Sequence, residues 1–554
     1  MSEQDAMFDK IMDSIGNNGV FQKRFNILFN IVLVFLAAMP ENNIVLAMSI
    51  PDHWCYVPGR ENTNFTLQEW KNITLPIDRD NGDREIFSSC LMYNISNFPD
   101  GRNDSGVIGC QHGYEYDKTW FVQTAPSQQD WVCDRELYVT NAFASSKIGE
   151  VLGTFMFGQL GDAIGRKPVF YISIVTIITG RVLSALTSSW YSFFLLAAAL
   201  GNLSITPIFQ CPLVISMEIS HGDDRAHIAV IQCIAWTIGM CVMPLIMWAV
   251  GDWSTFMLIT TLPCGLVLFG YKYIIESPRW LASRGKQERA LKELTKIAKI
   301  NGTCISDEVL TFLEKNTSQK PEKVYGMMSL FSSVRLAKNT ILMTGCWISS
   351  VVCLYTLILN ISNMSGNPFL NFLWQSMVEI PAYLLGRYAC DRIGRRWTGL
   401  GFFCLASITA TTQFALLNVQ ESTWSVLALA TFMRFCISIT FYVVNLQAME
   451  IYPTCLRQTG ISTSVIVSNA MGVLGPFIIL LGTQYHISYP YLVMSLVSLM
   501  GVLCELFLPE TLYKRLPETL AEAHLFGTNH KMWCMPQRKI VNMIPENNDK
   551  IGIM

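Results

Sequence analysis

The sequence predicts an all-α membrane protein in which twelve transmembrane helices form two six-helix halves. Of its 554 residues, 51% are hydrophobic and only 15% are charged, whereas a soluble domain usually carries about 25% charged residues. Twelve apolar windows, each about 20 residues long and so able to cross a bilayer as a helix, fall six and six around the polar segment 276–339. One charged motif also ends a window in each half. These observations predict an internally duplicated helical bundle in lipid.

The windows are separated by short turns, apart from two long polar segments. The windows are 25–47, 137–160, 168–187, 190–217, 226–250, 253–275, 340–361, 368–391, 397–416, 424–447, 459–483 and 488–508. They divide the chain into a tail 1–24, an N-terminal half 25–275 that contains the long loop 50–136, a central segment 276–339, a C-terminal half 340–508 and a tail 509–554.

The repeated motif, D-x-x-G-R-[KR], follows the second and eighth windows. Asp162 and Arg166 in the first copy recur as Asp391 and Arg395, 229 residues later. An acid at a helix end and cations in the following turn can form a charge cluster that holds two helices together in one conformation and releases them in another. Anchoring by positive charges on the inner side of the membrane is the simpler alternative. The presence of two copies favours the lock.

The charge distribution predicts the orientation of the chain in the membrane. Segment 50–136 has seven Lys/Arg against fourteen Asp/Glu, and segment 276–339 has twelve against seven. Because positive charge collects on the cytoplasmic side, we expect the basic turns, segment 276–339 and both termini in the cytoplasm, with 50–136 outside. Glu218 and Glu450, which end the fourth and tenth windows, then lie on the cytoplasmic side as further acids for the lock.

The long loop has the chemistry of an extracellular segment. Asn-x-Ser/Thr glycosylation sites occur at Asn64, Asn72, Asn94 and Asn103. An even set of cysteines, compatible with two disulfides in an oxidising compartment, consists of Cys55, Cys90, Cys110 and Cys133. The sequence leaves their connectivity open. In the central segment, the apolar spacing over 286–300 predicts an amphipathic helix lying beneath the bundle.

Charged residues inside apolar windows are costly and therefore indicate functional positions. Glu379 lies in the eighth window beside Pro381, where it would attract a cation or couple protons on a substrate path. The alternative is a structural ion pair with a cation of a neighbouring helix such as Arg434. Arg181, near the end of the third window, is expected to extend toward the outer surface.

The second window carries a cation and an acid at helical spacing. Lys147 and Glu150 are three residues apart and can neutralise each other on one helix face; contact of Lys147 with an anionic group is the less favoured interpretation. Gly149, Gly153 and Gly158 in the same window predict close contact with another helix.

Aromatic side chains in the windows are candidates for binding an organic ion, because a cation binds to the face of an aromatic ring and a flat anion stacks on it. For any single ring, core or lipid packing is the alternative. The candidates are Trp236, Trp347, Tyr355, Trp374, Phe441 and Tyr442.

The repeated motif resembles the signature of the major facilitator superfamily, and longer segments resemble its organic cation, carnitine and organic anion transporter family (solute carrier family twenty-two). The resemblance covers about residues 20 to 525 and implies alternating-access transport of small organic ions at the plasma membrane, without ATP hydrolysis. The segments are "DHWCYVPG" (52–59), "YEYDKTWF" with "QDWVCD" (114–134), "ESPRWLASRGK" (276–286), "SGNPFLNFLWQSMVEIPAYL" (365–384), "EIYPTCLRQTG" (450–460) and "PETLYKRLPETLAEA" (509–523).

The resemblance also assigns positions within the helices. It implies that Trp236 and the Tyr355 region lie near the substrate cavity, and that an acid at Glu379 is usual. Asn469 stands where the cation carriers of the family tend to hold an acid and the anion and carnitine carriers an arginine. A neutral amide supplies no selectivity for the sign of charge, so both familiar substrate classes are in doubt here.

The sequence therefore predicts a plasma-membrane transporter whose partners are a small organic ion and the lipid bilayer. Organic cations or carnitine-like zwitterions are the preferred substrates; an organic anion exchanger using Lys147 or Arg434, and a non-transporting receptor or trafficking protein with this fold, are the alternatives. No Walker A motif, nucleophile elbow or metal-ligand cluster occurs in the sequence, so we expect no enzyme, no cofactor, no metal and no nucleic-acid partner. The coupling ion, the oligomeric state and the substrate itself stay open.

Overall fold

The computed structural model describes residues 12–79, 85–94, 106–270, 274–303, 327–514, 517 and 523, apart from residues 13, 17, 18, 221, 365, 420–422, 454 and 455. It contains twelve long helical segments, labelled here α1 to α12. They are α1 (Val20–Ala47), α2 (Leu137–Ile164), α3 (Arg166–Leu186), α4 (Tyr191–Leu203 and Ile205–Glu218), α5 (Gly222–Val250), α6 (Trp253–Thr261, continued by Leu262–Gly270), α7 (Val334–Asn360), α8 (Pro368–Met377 and Glu379–Ile393), α9 (Arg395–Leu417), α10 (Thr423–Ile451), α11 (Arg457–Gly472 and Gly475–Gln484) and α12 (Tyr489–Phe507).

Ten of these segments are long and apolar enough to cross a membrane by length and composition. The remaining two, α2 and α8, are more polar: α2 carries many polar residues, and the second piece of α8 carries Glu379, Arg387, Asp391 and Arg392. All twelve coincide with the apolar windows of the sequence to within a few residues, except that α7 begins six residues before its window.

Three of the helices are interrupted four residues before a proline. The first pieces of α4, α8 and α11 end at Leu203, Met377 and Gly472, and residues 207, 381 and 476 are prolines. A proline has no N–H to donate to the carbonyl four residues earlier, and its ring presses on that carbonyl. A proline thus accompanies each of these breaks, although Pro40, Pro212 and Pro244 lie inside helical pieces that continue without interruption.

The two halves meet near one end of the bundle. We call the side that carries residues 50–136 the loop face, and the side that carries residues 276–303 the linker face. The first piece of α8 packs against α5, and α11 packs against α2. Near the loop face the ring of Phe369 contacts Phe121 of the other half at 5.0 Å and stacks on Trp248 at 6.0 Å. The described residues form several apolar clusters, and of these the cluster beside the loop face contains residues of both halves, whereas each of the others belongs to one half. The bundle is therefore closed on this side.

The loop itself is built from short hairpins and helices, which the sequence pattern did not predict. Among its described residues, six strands form three two-stranded antiparallel sheets: His53–Cys55 with Tyr114–Tyr116, Ile77–Arg79 with Glu85–Phe87, and Leu91–Tyr93 with Val107–Gly109. Its helices are Arg60–Asn62, Leu67–Thr74, Ala125–Gln129 and Cys133–Arg135. Disulfides join Cys55 to Cys110 and Cys90 to Cys133. The side chains of Asn64, Asn72 and Asn94 are exposed; Asn103 lies outside the described residues.

On the linker face, a helix at Gln287–Asn301 buries Ala290, Leu294, Ile297 and Ala298. Its last residue fastens it to the start of the chain: Asn301 accepts a hydrogen bond from the backbone N–H of Phe21 at 2.9 Å and donates to the carbonyls of Ile15 and Gly16. This helix therefore packs on the segment that leads into α1. The shorter helices Pro278–Ser283, Met327–Phe331 and Ile361–Asn363 complete the described connections.

The glycines of α2 divide into two kinds. A Cβ atom on Gly149 or Gly153 would lie 2.1 Å or 1.5 Å from a backbone oxygen of α4, whereas one on Gly158 would meet nothing within 4 Å. The first two glycines allow the close contact that the sequence predicts. The prediction for Gly158 is wrong.

Candidate functional site

A charge network lies at the linker face of each half, where the repeated motif begins α3 and α9. In the C-terminal half, the carboxylate of Glu510 accepts hydrogen bonds from the backbone N–H groups of Arg395 and Arg396 at 2.9 and 3.2 Å. The side chain of Arg395 donates to Glu450 at 3.1 Å, and the hydroxyl of Thr511 donates to the same carboxylate. A helix N-terminus carries unpaired N–H groups and partial positive charge, so an acid bound there stabilises the helix.

The N-terminal half repeats this arrangement with equivalent residues. Glu276 accepts hydrogen bonds from the backbone N–H groups of Arg166 and Lys167 at 2.9 and 3.2 Å. The hydroxyl of Ser277 donates to Glu218, as that of Thr511 donates to Glu450. The duplicated motif is thus part of a duplicated network, in which an acid binds the start of one helix and the next residue binds an acid at the end of another.

The network differs in one respect from the predicted lock. Within the described part of the chain, the hydrogen bonds of Arg395, Glu218 and Glu450 join each of these residues to groups of its own half. Asp391 is peripheral, with its side chain 60% exposed and 3.6 Å from Arg395. The side chain of Asp162 lies outside the described residues.

Sequence analysis did not single out Glu276, Ser277, Glu510 and Thr511, although a signal was present. The dipeptide Glu-Ser directly follows the sixth apolar window, and Glu-Thr follows the twelfth after one intervening proline, so the two lie at equivalent places in the two halves.

A second charged element lies inside the C-terminal half. Glu379 is 3% exposed and pairs with Arg434 of α10, whose Nε donates to it at 3.0 Å and whose Nη2 forms a second, shorter hydrogen bond. Arg434 also donates to the carbonyl of Leu354 at 3.1 Å. The structure thus shows the ion pair that the sequence analysis gave as the alternative for Glu379, and the charge on Glu379 is neutralised.

A third charged element lies where the halves meet. Nζ of Lys147 donates to Glu150 at 2.7 Å and lies 4.7 Å from the centre of the Tyr355 ring, so α2 and α7 are joined by a cation–π contact. Gly472 of α11 leaves room for the lysine, because a Cβ atom there would lie 3.2 Å from Cε of Lys147. Asn469 is one helical turn earlier on α11 and is 7% exposed.

Two further charges belong to this interior. Arg181 is fully buried rather than extended to the surface, so that expectation is wrong. Its guanidinium donates to the carbonyls of Pro40 and Glu41 at 2.8 and 3.1 Å and to the side chain of Asn202. The carboxylate of Glu41 interacts electrostatically with Lys147, Glu150 and Arg181. Glu41 was missed by the sequence analysis, although an acid inside the first apolar window was a readable signal.

The candidate aromatic residues fall into separate groups. Trp347 packs edge-on against Phe441 at 5.4 Å in the C-terminal half, and Trp236 packs against Phe209 at 4.5 Å in the N-terminal half. Tyr355 contacts Lys147, as described above. Of the other two, Tyr442 faces Gly386 of α8, and Trp374 is 52% exposed. The structure therefore does not bring all six rings to one place.

A family model described as "Sugar (and other) transporter" matches residues 104–522, well over half of the chain. The chain belongs to this family. The chain is similar in fold to solved xylose transporters: the proton:xylose symporter XylE bound to 6-bromo-6-deoxy-D-glucose matches with a TM-score of 0.55 and 18% identity, over 71% of this chain and 90% of that one. The inward-open xylose transporter XylE from E. coli also matches with a TM-score of 0.55, at 16% identity over 74% and 92% of the two chains. The twelve-helix fold of the major facilitator superfamily is confirmed.

Within the sugar (and other) transporter family, similar proteins are carriers of small organic solutes. The carcinine transporter of Drosophila melanogaster is 28% identical over 94% of this chain and 79% of its own length. The beta-alanine transporter of the same organism is 27% identical over 95% and 91%, and the human organic cation/carnitine transporter 2 is 27% identical over 95% of each chain. The predicted resemblance to organic cation and carnitine transporters is confirmed. This protein is a multi-pass membrane transporter of small organic solutes.

Proposed function

We propose that the protein carries small organic cations or carnitine-like zwitterions across the plasma membrane by alternating access, with the loop face outside and both termini in the cytoplasm. The observation that carries this proposal is the contrast between the two ends of the bundle. The halves are joined by an apolar cluster beside the loop face, whereas on the linker face the hydrogen bonds of Glu218 and Arg395 among the described residues stay within one half each. If Arg166 and Arg395 paired instead with acids of the opposite half, the linker face would close and the loop face would open.

The charges support the proposed substrate class. Arg434 and Lys147, which an anion exchanger would use, are each paired with a carboxylate. Asn469 adds no charge. Similar proteins include carcinine, beta-alanine and organic cation/carnitine transporters, and these favour a positively charged group on the substrate.

The proposed substrate path includes Glu379 and the aromatic residues. Substrate bound near Trp347 and Phe441 would compete with Arg434 for the carboxylate of Glu379, and a cation could then replace the arginine. Trp236, Tyr355 and Asn469 would line the opposite side of the cavity, where aromatic faces hold an ammonium group. Trp374 and Tyr442 complete the proposed set.

The test is uptake of labelled organic cations, carnitine-like zwitterions and aromatic anions by cells that express the protein. We expect saturable uptake of the first two classes and loss of about tenfold or more in Glu379→Gln, because that change leaves Arg434 buried without its partner. The double variant Glu379→Gln/Arg434→Gln is the matched control, since it removes both charges. If Glu379 contacts substrate, the double variant stays inactive; recovery of uptake would assign the pair a structural role only.

Three further outcomes decide between the proposed function and its alternatives. Uptake of anions that is indifferent to Glu379 would favour an organic anion exchanger. Absence of uptake, with the protein shown at the cell surface, would favour a receptor or trafficking role. Uptake that is lost in Arg395→Ala, with surface expression retained, would tie transport to the linker-face network.

A further inference from the structure

Four charges lie together in the membrane interior where α1, α2 and α3 of one half approach α7 and α11 of the other. They are Glu41, Lys147, Glu150 and Arg181. Tyr355 interacts electrostatically with Glu150, Arg181 and Glu41, and its ring lies against Lys147. The four charges belong to the N-terminal half and Tyr355 to the C-terminal half, so the cluster lies between the halves, which is the position a substrate site must have if the halves move about it.

The four charges do not satisfy one another completely. Lys147 and Glu150 form a direct ion pair at 2.7 Å, and their side chains are still 10% and 12% exposed, so a solute can reach them. Arg181 is fully buried, but its Nη1 has no hydrogen-bond partner within the described residues, and the same holds for Oε2 of Glu41. An unpaired donor and an unpaired acceptor of opposite charge, both out of contact with solvent, are costly unless a ligand completes them.

We propose that Glu41, Lys147, Glu150 and Arg181 form a binding site for the two charges of a short zwitterion, an ω-amino acid, which the site binds in preference to a simple cation or anion. The inference rests on the proposed transport function and adds to it a site and a substrate class. The carboxylates receive the ammonium group of the solute, and the guanidinium and lysine receive its carboxylate.

The charge balance of the site explains the selectivity. When a bound ammonium group keeps Glu41 ionised, the two acids and two cations sum to zero, Glu379 and Arg434 cancel, and Asn469 is neutral. A solute of net charge zero leaves the interior neutral, whereas a singly charged ion leaves one uncompensated charge in a medium of low dielectric constant, where such a charge is expensive. The amide at Asn469 therefore fits a site whose charges come from the opposite half.

The test compares three labelled probes of equal length: beta-alanine, its amide (a cation) and 3-hydroxypropanoate (an anion). We expect the wild type to take up beta-alanine at least about tenfold faster than either analogue, because each analogue leaves one charge of the site unpaired. Glu41→Gln gives the site a net positive charge, so it should lose most beta-alanine uptake and shift its preference to the anion. Lys147→Gln should shift it to the cation. Glu288→Gln, on the exposed side of the linker helix, is the matched control and should behave as wild type.

A purely structural role of these residues would lower all three uptakes in parallel, and that result would overturn the proposal. Equal uptake of the probes by the wild type would also overturn it, while leaving the transport function intact. Failure of surface-expressed wild type to take up any of these probes or those of the uptake panel would count against the proposed function itself. Because a variant can fail to fold, the thermal unfolding of purified wild type is measured with each probe. Beta-alanine should raise the unfolding temperature more than its analogues do, and an equal effect of all three would contradict the site.

Discussion

Gly153 in α2 shows how a single residue determines the distance between two helices. A Cβ atom at this position would lie 1.5 Å from the carbonyl oxygen of Leu203, so α2 and α4 would have to separate. We expect Gly153→Ala to destabilise the protein by about 1 to 3 kcal/mol, the usual cost of overpacking a tight contact. Gly158→Ala in the same helix meets nothing within 4 Å and should be neutral or slightly stabilising, because alanine favours a helix. Thermal unfolding of both variants in detergent checks this, and equal losses would contradict it.

His53 makes the loop sensitive to pH. Its ring lies 5.8 Å from the ring of Tyr116 and 6.0 Å from that of Tyr114, and burial lowers the pKa of the imidazole below its ordinary value. The unfolded loop therefore binds a proton at a higher pH than the folded loop does. The contribution of the neutral His53 ring to the stability of the folded loop is fully present above about pH 6.5. This contribution is lost as the pH falls from there toward the pKa of His53 in the folded loop.

This effect can be measured with one substitution. Between pH 7.5 and 5.5, the unfolding temperature of the wild type should fall further than that of His53→Gln, because the glutamine side chain does not titrate in this range. An equal loss in the two proteins would show that His53 does not carry the pH dependence of the loop.

At the scale of elements, hydrophobic windows and prolines were readable in the sequence because both act locally. A window needs only apolar length, and each helix break is accompanied by a proline four residues later. The partners of buried charges are not local. Arg181 bonds to α1 and α4, so its burial depends on where those helices lie, which periodicity does not encode.

The linker-face networks yield a test at the same scale. Thr511→Val removes a hydroxyl that donates to the carboxylate of Glu450 and should cost about 1 to 3 kcal/mol, as expected for a hydrogen bond to a charged group. Thr511→Ser keeps the hydroxyl and serves as the matched control. We expect a lower unfolding temperature and reduced uptake in the valine variant alone. Equal unfolding temperatures and equal uptake in the two variants would show that the hydroxyl of Thr511 does not contribute to the network.

At the scale of the whole molecule, the internal repeat is the part of the mechanism that could be predicted from the sequence. The recurrence of Asp162 and Arg166 as Asp391 and Arg395 led to two equivalent halves and to a charge network at equivalent places. Which groups pair was not readable, because Glu276 and Glu510 reach the motif from the far end of each half. Likewise, the neutral sum of the interior charges could be recognised only once the structure showed Glu41 beside the other three charges.

If the protein works by alternating access, the loop face must open during each cycle. Ser49 follows α1 and Ser362 follows α7, and their hydroxyl oxygens are 3.0 Å apart across the two halves. Cysteines at both positions should form a disulfide that holds the loop face closed. We therefore expect Ser49→Cys/Ser362→Cys to reach the cell surface but to lose uptake, and to regain it under mild reduction.

The single variants Ser49→Cys and Ser362→Cys control for the substitutions and for the effect of the reductant on the disulfides Cys55–Cys110 and Cys90–Cys133. Each should transport as wild type does and should gain nothing from reduction. A double variant that is shown by mass spectrometry to be cross-linked, and that still transports at the wild-type rate, would mean that the loop face need not open. Alternating access would then be wrong for this protein, because a site between the halves cannot exchange solute through a side that stays shut.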